Sequence, residues 1–167
     1  MSIKNLIAAL LILSAAAGAM AVDARPDVSQ IISKEDAAAI LGEPVREPTP
    51  RNGDGTDGYY SKCNYYSSRG GKSLIIRLQL PGPKAIPPPK QLELLAAASG
   101  PTQTVAGLGD FALMSTGGGE TGFETRVLML YVAKGNAFVT IGVGGIADDA
   151  TAFEKAKTVA QKLLERL

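Results

Sequence analysis

Residues 72–80 alternate. Leu74, Ile76, Leu78 and Leu80 fall on one side of an extended chain, with Arg77 and Gln79 on the other. A period of two belongs to a β-strand with one face buried and one face wet. A helix would scatter the same four aliphatic residues around its axis, so this segment commits the chain to a sheet. Just upstream, residues 59–67 are rich in aromatic side chains that suit a pleated surface, and Ser68-Arg69-Gly70-Gly71 supplies a turn between the two runs. The pair therefore reads as an antiparallel hairpin.

Helix signals flank this hairpin. Ser33 precedes Lys34-Glu35-Asp36, an N-cap followed by an acidic first turn, with Asp36 at the reciprocal position of a capping box. Gly42 and then Pro44 close the segment, which predicts a helix ending at Leu41. Residues 22–30, with Pro26, read as a flexible leader, and residues 46–58, with three glycines and two prolines, as an exposed loop. Prolines between 81 and 89 break the sheet, and a helix over 90–99 gathers Leu92, Leu95 and Ala96 on one side. Short extended runs follow at 102–105 and 111–115, then a glycine-rich connection over 116–122. Residues 126–133 and 137–143 form a second hairpin around Lys134-Gly135-Asn136. A last helix starts near Asp148-Asp149, with Phe153, Ala156, Ala160, Leu163 and Leu167 as its apolar stripe. The fold class expected is α+β: an antiparallel sheet of about five strands packed with three helices, in one domain over 31–167.

The first 21 residues read as a signal peptide, with Lys4, an apolar run over 6–13 and the small-x-small site Ala19-Met20-Ala21. The run is too short for a membrane span. Val22 stands where lipidation would need a cysteine, so the expectation is an exported protein, periplasmic or extracellular, with no stable membrane anchor after cleavage. Without Lys4, basic and acidic residues balance. No Lys/Arg cluster stands out along the chain, which argues against nucleic acid and against an anionic membrane surface as partner. Cys63 is the single cysteine, so no internal disulfide is expected. A buried apolar role is the first reading of Cys63, and a reactive thiol or an intermolecular disulfide the second.

Histidine is absent, which removes His-based general acid–base catalysis and His-liganded zinc or haem. Three nucleotide-binding patterns occur by letter only. Gly53-x-Gly55-x-x-Gly58 has no helix after it, Gly142-x-Gly144-x-x-Ala147 has no second parallel strand, and Gly71-Lys72-Ser73 has Tyr66 where a P-loop needs glycine. The oxygens of residues 52–57 invite calcium, but Asp57 and Cys63 stand where an EF-hand needs Gly and Glu. A solvated turn is the preferred reading, and no metal or cofactor is expected. Asp110, Glu120 and Glu124 are the acidic group that a His-free enzyme would use. Four of the five tyrosines crowd into eight residues: Tyr59, Tyr60, Tyr65 and Tyr66. On a strand, Tyr59 and Tyr65 share a face with Cys63, and Tyr60 and Tyr66 take the other. Beside Asn64, such rings can stack on a sugar, peptide or lipid-like ligand. The candidate binding residues are thus Tyr59, Tyr60, Asn64, Tyr65, Tyr66, Asp110 and Glu120. The leading expectation is a non-catalytic binding or accessory protein whose partner is an envelope protein or a small ligand. A small-ligand carrier with a tyrosine-lined pocket and a His-free enzyme are the alternatives.

Residues 27–33 (Asp-Val-Ser-Gln-Ile-Ile-Ser), Asp36-Ala37 and Leu41-Gly42 resemble the opening of a family of exported bacterial domains of unknown function, common as small lipoproteins in actinobacteria. Cys63-Asn64-Tyr65 is similar to that family's Cys-x-aromatic strand, and Val105-x-Gly107-Leu108-Gly109-Asp110-x-Ala112 to its Gly-Leu-Gly-Asp turn. The resemblance implies a fold like the PsbP group, an antiparallel sheet packed with helices, and action by binding. Ser29 stands where the family places a cysteine to partner the strand cysteine, and the lipidation cysteine is missing as well.

Overall fold

The structure, a computed structural model, describes residues 25–98, 100–117 and 126–167. Its strands are β1 (Arg51–Gly55), β2 (Gly58–Tyr66), β3 (Ser73–Pro81), β4 (Thr102–Thr104), β5 (Phe111–Gly117), β6 (Val127–Lys134) and β7 (Ala137–Gly144). They form one seven-stranded sheet in the order β1-β2-β3-β7-β6-β5-β4, and every neighbouring pair is antiparallel. Two meanders, β1–β3 and β4–β7, thus join where β3 pairs with β7. The helices are α1 (Val28–Ile31), α2 (Lys34–Leu41), α3 (Pro88–Ala98) and α4 (Asp149–Leu164).

Among the described residues seven strands and four helices replace the expected five and three, within a fold that is still mixed α+β. The difference lies where apolar patterning is silent. Residues 51–55, expected in a loop, pair with β2 residue by residue although they bury nothing. Backbone ladders need only N–H and C=O groups, and an edge strand has no core face to fill. Thr56 and Asp57 make the turn, and Gly58 follows at φ +116°. There a Cβ would lie 2.2 Å from the Leu80 carbonyl oxygen, so only glycine fits. The same hairpin disperses the oxygens considered for calcium. Asn52 Oδ1 accepts from Ser61 Oγ at 2.7 Å, and Asp54 pairs with Arg25. Among the described residues no group of three or more Cys, Asp or Glu is placed to hold a metal ion.

The end of the expected leader also belongs to the packed structure. Asp27 caps α1, and Val28 is fully buried, its amide donating to Ser61 Oγ at 2.8 Å. α2 carries its capping box, Ser33 with Asp36, and ends at Gly42 in the left-handed region. In α4 the buried stripe is Ala152, Ala156, Val159, Ala160, Leu163 and Leu164. Leu167 lies beyond the helix end and is exposed, which corrects the expected stripe.

The main core sits on one face of the sheet. Cys63 and Tyr65 of β2, Leu74, Ile76 and Leu78 of β3, and Val139, Ile141 and Val143 of β7 cluster there with buried residues of α1, α2 and α4. On the opposite face α3 covers only the C-terminal meander, where Leu92 packs with Ala133 and Phe138, flanked by Leu95, Leu113 and Tyr131. Among the described residues no helix lies over the β1–β3 half of that face. Among the described residues no helix is long and apolar enough to cross a membrane.

Candidate ligand-binding face

The tyrosine-rich strand divides its side chains between these two environments. Tyr65 is 1% exposed and its phenol donates to the Ile32 carbonyl. Burial, with the neighbouring Cys63, raises its pKa well above the ordinary phenol value. Tyr59 is half-buried on the same side. Its phenol donates to the Pro26 carbonyl at 3.2 Å and Arg25 lies 5.1 Å from its ring centroid, so both groups pin the N-terminal segment to the sheet. Cys63 is fully buried beside them, and burial pushes its thiol pKa up, away from the reactive thiolate.

Tyr60, Lys62, Asn64 and Tyr66 project from the other face and line an open groove of about 530 Å³ with Glu47, Thr49, Arg51 and Arg77. Sequence chemistry shapes this groove. The chain bridges Val45 to Ser67 and rejoins β2 at the Arg51–Lys62 pair. Between them stand Pro48 and Pro50, which have no N–H to donate, so the ladder is interrupted and the segment forms a wall. At the other end Gly53 lies opposite Tyr60, and a Cβ there would be 3.5 Å from the Tyr60 hydroxyl, so the ring lies over the glycine of the edge strand. Asn64 donates to the Tyr66 hydroxyl at 3.1 Å, and its buried Oδ1 has no hydrogen-bond partner among the described residues. Tyr66 is 48% exposed.

Asp110 lies elsewhere. Its carboxylate accepts from the Gly135 amide at 2.6 Å and its amide donates to the Ala133 carbonyl, which ties the Gly-Leu-Gly-Asp turn to the β6–β7 hairpin. Gly109 is held at φ +63° with room for no Cβ, since one would meet the Ala133 oxygen at 2.5 Å. This turn also borders a second, more apolar depression of about 450 Å³ under α3, beside Phe111, which is 60% exposed. Glu120 and Glu124 lie outside the described residues.

Register adds residues that reading along the chain did not collect. Lys62 pairs with Arg51 on one side and Arg77 on the other, and the same row continues through Thr140 and Tyr131. A basic row therefore exists although no basic run does. Its signal was present in the hairpin: a turn at 68–71 places Lys62 opposite Arg77.

No family model matches the chain, and no curated protein matches it in sequence. Among solved structures it is similar to the extracellular domain of PknH from Mycobacterium tuberculosis, with a TM-score of 0.50 and 10% identity over 82% of this chain and 94% of that one. At that identity the likeness is one of fold.

Proposed function

We propose that this protein is an exported, non-catalytic binding module, and that the uncovered face over β1, β2 and β3 is its ligand site. The observation that carries this reading is the groove itself: a polar recess with Tyr60 and Tyr66 at its surface, on the half of the sheet that no helix among the described residues covers. Side chains on that face are not consumed by the core, whereas Tyr65 is, and Tyr59 is taken up by the N-terminal segment. An open, polar groove suits a ligand held at the surface better than it suits a carrier that encloses apolar cargo. Asp110, the described member of the acidic trio, is spent on a turn, which lends the enzyme alternative no support. Export is supported by the signal-peptide pattern of residues 1–21 and by the fold likeness to an extracellular domain.

Native mass spectrometry of the protein purified from its own envelope or culture-medium fraction tests this reading. The expected result is a retained non-protein or peptide mass that is lost from a Tyr60→Ala/Tyr66→Ala variant of unchanged thermal stability. Retention of the same mass by the variant would move the site away from this face. Recovery of the protein from the cytosol alone would overturn export.

A further inference from the structure

We infer that the face over β1–β3 takes an anionic saccharide, its acidic groups held by Arg51, Lys62 and Arg77 and its sugar rings laid on Tyr60 and Tyr66. This rests on the assignment of that face as the ligand site and goes beyond it by naming the ligand's chemistry. The three cations are direct cross-strand partners on neighbouring strands, so they stand side by side with backbones about 5 Å apart. Like charges placed directly opposite are unfavourable in a sheet. Among the described residues no carboxylate lies within ion-pair distance of any of the three. Glu47, the acidic residue on the groove wall, is already held by Lys34 at 2.6 Å.

Protection of a sheet edge explains a charge on β1, because edge strands carry charges that discourage pairing with other chains. It does not explain Arg77, whose strand is paired on both sides. A ligand carrying carboxylate or phosphate groups removes the repulsion, and the guanidinium forks of Arg51 and Arg77 suit either group. Along β2 the two tyrosines flank Lys62 and Asn64 on the same face, so ring surfaces lie on either side of the charged row.

An NMR titration of the full chain with a galacturonate oligosaccharide, its fully methyl-esterified form and a short DNA duplex separates the cases. The expected result is amide shifts at Arg51, Lys62 and Arg77 with the acidic sugar and binding at least about tenfold weaker for the neutral ester. Binding also weakens as salt is raised, since exposed charges are screened. A Lys62→Ala/Arg77→Ala variant should lose at least about tenfold in affinity for the acidic sugar and little for the ester. Equal binding of acid and ester at this face would overturn the anionic assignment and leave the ligand face standing. Tighter binding of DNA at these residues would overturn the saccharide in favour of nucleic acid. Absence of shifts at this face with every probe would overturn the inference, while a mass retained through Tyr60 and Tyr66 would still uphold the binding module.

Discussion

Tyr65 shows how one residue can satisfy the core and fix a chain segment together. Its ring fills the space beneath α1 and α2, and its phenol answers the carbonyl of Ile32, between the two helices. Tyr65→Phe keeps the ring but leaves that buried carbonyl without its donor, a loss of about 1–3 kcal/mol. Urea unfolding measures it, and an unchanged midpoint would show that Ile32 finds another partner. The alternation of β2 was readable from spacing alone, because side chains on a strand must alternate. Which tyrosine pair would be buried was not, since both have the same composition. That choice is made by α1 and α2, which pack on the side of Cys63.

At the scale of elements, the best-punctuated helices were the most legible. Ser33, Asp36 and Gly42 bound α2, and Asp148 begins α4 by accepting from the Thr151 amide at 2.7 Å. Such signals act within a few residues and survive any tertiary context. β1 was missed because it buries no stripe, and its clue was the Thr56-Asp57 turn with Gly58 just after it rather than its own residues. Lys162 of α4 pairs with Asp36 at 2.7 Å and, with the Ser33 amide, holds that carboxyl below its ordinary range. A depressed carboxylate pKa stabilises the fold above the ordinary Asp range and loses that contribution as pH falls through the folded-state value. Asp36→Asn keeps the acceptor for Ser33 but removes the charge. It should lower stability at neutral pH by under about 1 kcal/mol, because the pair is partly exposed and screened. The gap from the parent should close on acidification. A gap that widened instead would contradict this account. Ser33→Ala, which removes the cap itself, should cost about 1 kcal/mol at either pH.

For the whole molecule, binary patterning identified an antiparallel α+β fold but not its span. The sheet gains its outer strands through backbone pairing, and the cationic row through register, neither of which leaves a hydrophobic trace. Ile141 on β7 is fully buried at the centre of the sheet, between β3 and β6. Ile141→Ala should destabilise the whole sheet by about 2–5 kcal/mol. Hydrogen exchange would then rise in both meanders together. If only β4–β7 loosened, the halves would be separate cooperative units.

The seam between β3 and β7 carries a consequence for how this chain reaches its shape. Each meander closes through short turns, yet Ser73 meets Gly144 only when almost the entire sequence is present. Contacts of such separation are slow to form, because a long loop loses its freedom before any burial compensates. The cationic strands can pair early and α1 and α2 can pack on their backs, but the aliphatic row Leu74, Ile76 and Leu78 of β3 is not fully enclosed until β7 and α4 arrive. Folding of the ligand face is therefore tied to the last third of the chain, and a nascent or truncated product would present its stickiest surface while its partner strand is still missing.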